Sequence, residues 1–333
     1  MTTIKDVAKL AGVSTATVSR VMNGTGYVNP STKKKVNSAI KQLDYRPNDV
    51  ARSLFKGKSK MIALFVPDIM NPFFPELARA VEDVTNHHGY TFILCNTDDE
   101  IEKEQTYLNA LQQKSVDGII IVSSTITKEL ISKIKIPIIA LDRIIGANMS
   151  SVTVNNREGA REAVRYLKSI GCQRIAHICG PDHVINTAER MKGYLDEVKD
   201  EDWFLSSYIV SGEYYFQTAT QAMKKLLTVH PEIDGIFVGN DLMGVGVLKG
   251  AKELGIRVPD ELSVIAFDGI MLGETTTPSL TTMAQPIYEI GARAAEMLLE
   301  QINDSKYQSK REEFTVQLIE RQSTRKRGES IDR

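Results

Sequence analysis

The sequence predicts an α/β protein, in which a three-helix head and a short hinge helix precede two doubly wound lobes built on parallel sheets. Three observations predict it. Apolar residues repeat at helical spacing through residues 4–43 and are interrupted by glycines. From residue 60 onward, short continuous apolar runs alternate with helical patterns, which is typical of parallel strands covered on both faces. This alternating series occurs twice and therefore indicates two lobes.

The length and composition are those of a multidomain globular protein. The 333 residues suit two or three domains, and a hydrophobic share of 42% is enough for packed cores. No run of about 18 apolar residues predicts a membrane span, and Lys5, Asp6 and Lys9 interrupt any signal-peptide core. The three cysteines form no disulfide framework and are expected to be reduced thiols of a cytoplasmic protein: Cys95, Cys172 and Cys179.

The first elements are two short helices joined by a tight turn. Apolar residues line one face of the first helix, 4–11, and Gly12 ends it. Ser14 is expected to cap the second helix, with Thr17 in place of the usual glutamate. The outer face of the second helix is small and polar, which suits a DNA major groove: Thr15, Ala16, Thr17, Ser19 and Arg20. A helical hairpin that serves only as packed core is the alternative.

Charge is distributed unevenly along the chain. Residues 1–60 hold 12 lysines and arginines against three acidic residues, whereas the remainder holds 29 basic and 39 acidic residues. The overall formal charge of −1 therefore combines a basic head with an acidic body. The basic head is expected to bind a polyanion such as nucleic acid, and the body is not.

A third helix and a linker complete the head. Val36, Ile40 and Leu43 face inward on helix 31–43, and its lysine run faces outward, where phosphate contact is expected beside a recognition helix. Residues 47–57 begin with a proline and end with a glycine, which predicts a helix too short to be stable in water by itself.

The elements of the body follow in a regular order. In the first lobe, strands are predicted at 61–66, 91–95, 118–122 and 137–141, with helices at 75–88 and 100–113. The second series is helix 157–170, strand 174–179, helix 187–198, strand 207–210, helix 217–229, strand 235–238, helix 241–254 and strand 262–267. A helix at 286–304 and one strand at 315–320 complete the fold.

Polar residues follow the carboxyl ends of these strands, where doubly wound sheets bind their ligands. Carboxylates, guanidinium groups and amides suit the hydroxyls of a sugar, and aromatic rings cover its C–H face. The candidate ligand-binding residues are Asn71, Phe73, Phe74, Asp142, Arg143, Arg190, Asn240, Asp268 and Gln285. The alternatives are helix capping for Asn240-Asp241 and a structural ion pair for Asp142-Arg143.

Other chemistries are not indicated. Gly244-Val-Gly246 has the wrong spacing for a dinucleotide fingerprint, and His177 with Cys172 and Cys179 lacks zinc spacing. No hydrolase elbow, P-loop or metalloprotease motif occurs, so no catalytic residue, metal or cofactor is predicted and the protein is not expected to be an enzyme. A hydrolase pair formed by Asp142 and Asp268 is the disfavoured alternative.

The head contains five characteristic motifs: Thr3-Ile-Lys-Asp-Val-Ala8, Val13-Ser-Thr-Ala-Thr-Val-Ser-Arg20, Asn23, Tyr45-Arg-Pro-Asn48 and Val50-Ala-Arg-Ser-Leu54. In these motifs the head resembles the headpiece of the LacI (lactose/galactose repressor) family of bacterial regulators. The resemblance implies that Thr15 and Ala16 read base edges, while Thr17 and Arg20 also face the major groove. The DNA-binding residues that it implies are Thr3, Lys5, Ser14, Thr15, Ala16, Thr17, Ser19, Arg20, Asn23, Tyr45, Asn48, Arg52 and Leu54.

Two positions of the head carry further implications of the resemblance. Leu54 would wedge into the minor groove when two hinge helices pair on the operator, and its packing on the body is the alternative. Gly26 stands where some relatives carry an arginine that contacts a base, so that contact is expected to be absent.

The body resembles the periplasmic sugar-binding-protein fold that forms the effector domain of this family, most closely in its ribose-responsive members. The motifs are Asn71-Pro-Phe-Phe74, Leu141-Asp-Arg143, Thr187-Ala-Glu-Arg-Met-Lys-Gly193, Gly239-Asn-Asp241, Phe267-Asp-Gly269 and Ala284-Gln-Pro286. The resemblance implies that Tyr214 stacks on the ligand, with Tyr215 and Phe216 left open.

The resemblance also implies the domain organisation. Residues 1–46 form the DNA-binding headpiece, 47–58 the hinge, and 59–333 the effector and dimerisation domain. Lobe 1 comprises about 60–156 and 286–318, and lobe 2 about 157–285 and 319–325.

The function that follows is repression of a ribose-utilisation operon by a cytoplasmic homodimer. The protein would bind double-stranded operator DNA in the nucleoid and would be released when D-ribose occupies the interlobe cleft. Residues 321–333 contain no leucine heptad, so a dimer is expected, and no membrane partner is expected. The alternatives are a regulator that needs a purine or phospho-carrier corepressor, and a repressor induced by another pentose or hexose.

Overall fold

The computed structural model describes residues 2–45, 58–132, 134–146, 148–304 and 306–326. The chain divides into two compact units, Met1–Ser59 and Lys60–Arg333. Most of the predicted hinge helix, 47–58, and the last seven residues of the tail lie outside the described residues. No helix within the described ranges is long and apolar enough to cross a membrane.

The head consists of three helices around a small apolar core. They are α1 (Ile4–Ala11), α2 (Thr15–Asn23) and α3 (Pro30–Gln42). Val7, Val18 and Val36, one from each helix, are fully buried against one another. The helical spacing of the apolar residues therefore predicted the inward faces correctly, because each helix contributes one narrow stripe to the shared core.

Local hydrogen bonds fix the starts of the first two helices of the head, α1 and α2. The Asp6 carboxylate accepts from the Thr3 backbone N–H at 2.8 Å and from the Thr3 hydroxyl at 2.7 Å. Gly12 ends α1 in the left-handed conformation with φ of 67°. Ser14 Oγ accepts from the Thr17 N–H at 3.1 Å, so the predicted cap of the second helix is confirmed.

The body alternates strands and helices along the whole chain. Its first series is β1 (Met61–Val66), α4 (Phe73–His87), β2 (Thr91–Asn96), α5 (Ile101–Gln113), β3 (Gly118–Ile121), α6 (Lys128–Ser132), β4 (Ile138–Leu141) and β5 (Ser150–Val154). The second is α7 (Asn156–Ser169), β6 (Ile175–Cys179), α8 (Ile185–Val198), β7 (Ile209–Ser211), α9 (Phe216–Val229), β8 (Gly235–Val238), α10 (Asp241–Leu254), β9 (Ser263–Asp268) and β10 (Thr281–Ala284). The chain ends with α11 (Ile287–Asn303), β11 (Arg311–Phe314) and β12 (Gln317–Ile319).

These strands form two six-stranded sheets, one for each lobe. The first has the order β11-β5-β4-β3-β1-β2 and is parallel throughout. The second has the order β12-β10-β9-β8-β6-β7, in which only the β10–β12 pair is antiparallel. The predicted class of two doubly wound α/β lobes is confirmed, because helices cover both faces of near-continuous apolar strands.

The chain crosses between the lobes three times, after β5, after β10 and after β11. At the third crossing, the strand predicted at 315–320 corresponds to β12, whereas β11 was not predicted. Phe314 pairs with Val154 in the first sheet, and Gln317 pairs with Ala284 in the second. The two strands belong to different sheets, so the lobe boundary lies at 315–316 rather than at 318.

Two further strands, β5 and β10, escaped prediction because their buried residues are polar. All five residues of β5 are buried, yet three of them are Ser or Thr. In β10, Thr281 and Thr282 are fully buried, and Thr282 Oγ1 donates to Asp241 Oδ1 at 2.6 Å. Hydroxyl groups that find partners in the fold remove the continuous apolar run on which strand prediction depends.

We expect Gly193→Ala to destabilise the second lobe. A Cβ at Gly193 would lie 2.3 Å from the backbone carbonyl oxygen of Arg157, because α7 and α8 pack closely there. The shift that relieves this contact should lower the free energy of unfolding by about 1–3 kcal/mol. Urea denaturation followed by circular dichroism measures the change. Gly146→Ala is the matched control, because its nearest neighbour would be 3.9 Å away; equal midpoints for the two variants would contradict the prediction.

Candidate functional site

The second helix of the head presents a small polar surface to solvent. Thr15, Ala16 and Arg20 are exposed, while Thr17 and Ser19 are half-buried. Small side chains let a helix approach base edges closely, and an exposed guanidinium supplies a paired donor. This surface has the shape and chemistry of a major-groove reader.

Several polar groups at the rim of this surface already stabilise the head. Ser14 Oγ caps α2, and Asn23 Nδ2 donates to Ser19 Oγ at 3.1 Å. Thr3 belongs to the capping box of α1, and the half-buried Tyr45 packs against the head core. These residues hold the surface in place, whatever further contacts they make. Lys5 is exposed on α1.

The charge of the head is strongly positive over its described residues. Residues 2–45 carry seven exposed basic side chains against two acidic ones: Lys5, Lys9, Arg20, Lys33, Lys34, Lys35 and Lys41. Such an excess favours a phosphate backbone through counterion release. Three other candidates for DNA contact lie outside the described residues, namely Asn48, Arg52 and Leu54.

A cleft of about 340 Å³ lies in the body at the carboxyl ends of strands from both sheets. All ten residues that the sequence suggested for ligand binding line it: Asn71, Phe73, Phe74, Asp142, Arg143, Arg190, Tyr214, Asn240, Asp268 and Gln285. They come from seven separate segments of the chain, so only the fold brings them together. Their convergence makes this cleft the candidate ligand site.

Arg190 is the most tightly held cation of the cleft. Its Nε donates to Asn156 Oδ1 at 2.8 Å, its Nη1 donates to the Gly239 carbonyl, and its Nη2 lies 3.3 Å from Asp268 Oδ1. The guanidinium lies 3.8 Å above the centroid of the Phe267 ring. These contacts fix the donors of Arg190 before any ligand arrives, which limits the entropy lost on binding.

Asp268 ends strand β9 with its side chain in the cleft. Its Oδ1 accepts from Gln285 Nε2 at 2.8 Å. Burial raises the pKa of Asp268 to about 6, while Arg190 and Gln285 act in the opposite direction. The carboxylate is therefore an acceptor whose charge changes close to neutral pH.

Asp142 and Arg143 form the corresponding pair in the first lobe. Arg143 Nε lies 3.6 Å from Asp142 Oδ2, and Asn186 of the second lobe donates to the same oxygen at 2.9 Å. Arg143 Nη1 also lies 3.5 Å from Asp99 Oδ1. The ion-pair alternative is thus correct in part, since both residues are paired and both still line the cleft.

Asn240 and Asp241 have different structural roles. Asn240 Oδ1 accepts from the Met243 N–H at 2.9 Å, so it caps α10 as the alternative proposed, although the residue also lines the cleft. Asp241 is fully buried, and its Oδ2 accepts from the N–H groups of Gly269 and Ile270 at 2.8 Å each. Asp241 therefore holds the turn that follows Asp268.

Aromatic rings line the cleft from both lobes. Phe73 and Phe74 meet edge to face, with ring centroids 5.2 Å apart. In the second lobe, the Tyr214 hydroxyl accepts from Thr187 Oγ1 at 2.9 Å, and Tyr215 also reaches the cleft. Phe216 does not line it. The edges and faces of such aromatic rings can pack against the C–H side of a sugar.

Three buried polar atoms of the cleft have no hydrogen-bond partner among the described residues: Asp142 Oδ1, Arg143 Nε and Gln285 Oε1. Their residues are 4–6% exposed. Unsatisfied buried groups of this kind carry a desolvation cost, which a ligand with hydroxyl donors and acceptors removes. The donor and acceptor set of the cleft therefore matches a polyhydroxyl compound.

Backbone strain is concentrated at the cleft. Nine described non-glycine residues have positive φ, and six of these line the cleft: Asp98, Asp99, Asp142, Glu213, Tyr214 and Asp268. Such conformations persist only where the surrounding structure imposes them, and they cluster at ligand sites.

Sequence reasoning missed six polar residues of the cleft: Asp68, Asp98, Asp99, His183, Asn186 and Glu213. Asp98 and Asp99 follow the end of β2, so the strand-end rule was sufficient to find them but was not applied to that strand. Asn186 lies on α8, one turn before Arg190, and only the closed packing of the lobes reveals its contact with Asp142.

Comparison with known proteins is informative for both units. Residues 3–48 match the family of bacterial regulatory proteins called the lacI family, and residues 145–324 match the periplasmic binding protein-like domain. A ribose operon repressor of Halalkalibacterium halodurans is 47% identical over 332 residues, which cover 100% of this chain and 99% of that protein.

Two solved structures are similar over most of the chain. A LacI family transcriptional regulator from Enterococcus faecium with bound ribose has a TM-score of 0.72 and 30% identity, and the match covers 79% of this chain and 98% of that one. A lac repressor dimer bound to operator and the anti-inducer ONPF has a TM-score of 0.88, with coverage of 97% and 99%, and its 24% identity supports the fold alone.

Proposed function

The chain belongs to the lacI family of bacterial regulatory proteins, and from that membership we propose that it represses a ribose-utilisation operon and leaves its operator when D-ribose binds. The observation that carries the proposal is the convergence of ten polar and aromatic residues on one cleft of the body. The basic head supplies the other half of the function, because its exposed helix α2 and its lysines suit a duplex.

The cleft supports a mechanism in which the sugar bridges the lobes. Asp142 and Arg143 belong to the first lobe, and Arg190 and Asp268 to the second. A sugar that contacts all four favours one relative position of the lobes over others, and only such a differential affinity can shift a conformational equilibrium. A change between the lobes would alter how two headpieces of a dimer fit a near-palindromic operator.

The sugar is bound and not transformed in this proposal. Asp142 and Asp268, the carboxylates of the disfavoured hydrolase pair, are each engaged by an arginine, and a bound sugar acts as a signal in a repressor. The operator target places the protein in the cytoplasm with the nucleoid. The residues that read DNA are the exposed face of α2 with the lysines of the head, together with Asn48, Arg52 and Leu54 of the linker.

Fluorescence anisotropy with a labelled operator fragment tests the proposal. Ligand-free protein should bind the fragment, and millimolar D-ribose should weaken binding by about 5–150-fold, the usual range of allosteric coupling. Binding that appears only with a purine or a phospho-carrier protein would establish the corepressor alternative. If a different pentose or hexose released the protein from the operator, that sugar would replace ribose as the effector.

We expect D-ribose affinity to fall in acid. Burial raises the pKa of Asp268 to about 6 in the free protein, and sugar hydroxyls that donate to Asp268 stabilise its charged form. Asp268 must therefore lose its proton when the sugar binds. The affinity for D-ribose has its full value above this pKa and falls as the pH drops below it. The dissociation constant should rise about tenfold between pH 7.5 and pH 5. Calorimetry at both pH values measures this, and Asp268→Asn should remove most of the dependence; an equal slope in that variant would contradict the assignment.

A further inference from the structure

The charges that line the cleft are unbalanced. Six carboxylates line it against two guanidinium groups. The carboxylates are Asp68, Asp98, Asp99, Asp142, Glu213 and Asp268, and the cations are Arg143 and Arg190. A ligand that enters this site therefore meets an excess of negative charge.

Both cations are already engaged by carboxylates. Arg143 lies between Asp142 at 3.6 Å and Asp99 at 3.5 Å, and Arg190 Nη2 lies 3.3 Å from Asp268. Each arginine is only 4% exposed, so neither can swing out to follow a ligand. The positive charge available to a new anion is therefore small.

The other carboxylates that line the cleft add to its excess of negative charge. Asp98 pairs with Lys103, but Asp68 and Glu213 have no cationic partner among the described residues. Their carboxylates accept only from neighbouring groups, the Met70 N–H for Asp68 and the Ser211 hydroxyl for Glu213. An anionic group beside either of these carboxylates would be repelled and would also lose part of its hydration on entering the cleft.

We propose that the cleft selects uncharged sugars and rejects their phosphate esters, and that Asp99 and Glu213 are residues that determine this selectivity. Asp99 shares Arg143 and so denies it to a phosphate, and Glu213 adds an uncompensated negative charge. Hydroxyl groups meet no such penalty, because they donate to these carboxylates and accept from the arginines. The inference rests on the proposed function, since it concerns the sugar that acts as effector.

Calorimetry with the full-length protein tests the inference, with D-ribose and D-ribose 5-phosphate as the probes. Wild type should bind ribose at least about 100-fold more tightly than the phosphate ester, since a desolvated dianion beside unpaired carboxylates has no compensating charge. Asp99→Asn and Glu213→Gln should each narrow this ratio by about tenfold. Asp200→Asn removes the same charge from an exposed position outside the cleft and should leave the ratio unchanged.

The outcomes separate the two proposals. Equal affinity of wild type for both compounds, or tighter binding of the phosphate ester, overturns the selectivity and leaves the repressor function standing. A ratio that stays at the wild-type value in both variants overturns the assignment to Asp99 and Glu213. Absence of binding for ribose and for every other neutral pentose and hexose overturns the sugar-effector function together with the inference.

Discussion

Replacement of Asp268 by alanine should abolish the response to D-ribose while operator binding stays intact. The carboxylate is buried, lies 3.3 Å from Arg190 and accepts from Gln285 at 2.8 Å. Its removal takes an acceptor from the sugar and leaves a buried guanidinium without its counter-charge. A hydrogen bond to a charged acceptor contributes about 1.5–3 kcal/mol, so loss of the bond from a sugar hydroxyl to Asp268 should raise the dissociation constant about 10–100-fold.

Calorimetry with D-ribose and anisotropy with an operator fragment measure the two halves of this prediction. Asp200→Ala is the matched control, because it removes a carboxylate from an exposed position outside the cleft. Asp268→Asn keeps the shape of the side chain and separates lost charge from lost packing. Retention of ribose-driven release in the Asp268→Ala protein would show that the cleft does not hold the effector.

Replacement of Arg20 by alanine should weaken specific operator binding by at least about 30-fold, with sugar affinity unchanged. Arg20 is exposed on α2 beside Thr15 and Ala16. A guanidinium at this place can donate two parallel hydrogen bonds to a base edge or a phosphate, and such a contact contributes about 1–3 kcal/mol. The dimer repeats the loss at both half-sites.

Salt titration of operator binding distinguishes the role of Arg20. Arg20→Lys keeps the charge but loses the planar fork, so it should recover non-specific binding more than specific binding. Lys252→Ala removes a cation from an exposed position on α10 of the body and should leave specific and non-specific DNA binding unchanged. If Arg20→Ala bound the operator as tightly as wild type, α2 would not be the recognition helix.

Strand-end reasoning explains how much of the cleft was predictable. Strands of both lobes showed as apolar runs, and ligands meet parallel sheets at the carboxyl ends. Asp142, Arg190 and Asp268 could therefore be expected to share a site although 126 positions separate the first from the last. The resemblance to a known family added Tyr214 and the preference for ribose among sugars.

The sequence was less informative where polar groups are buried. The hydroxyl-rich strands β5 and β10 gave no apolar run, and the charged strand β11, which precedes the strand expected at 315–320, was not predicted. In each case a long-range partner decided the local structure. Hydrophobic periodicity and secondary-structure propensity describe one segment of the chain at a time and do not include such long-range partners.

The sequence by itself determined the class of this protein. Helical spacing with a cap at Ser14 specified the head, repeated strand–helix alternation specified two lobes, and a basic head on an acidic body specified a polyanion partner. These features are local or additive, so they can be read without coordinates. Tertiary structure alone decided which charges meet: Asn186 reaches Asp142 across the lobes, Asp99 shares Arg143, and Asp241 holds the turn after Asp268. Those contacts depend on distances of 2.8–3.5 Å between segments far apart in the chain, and only the packing of the two sheets sets such distances.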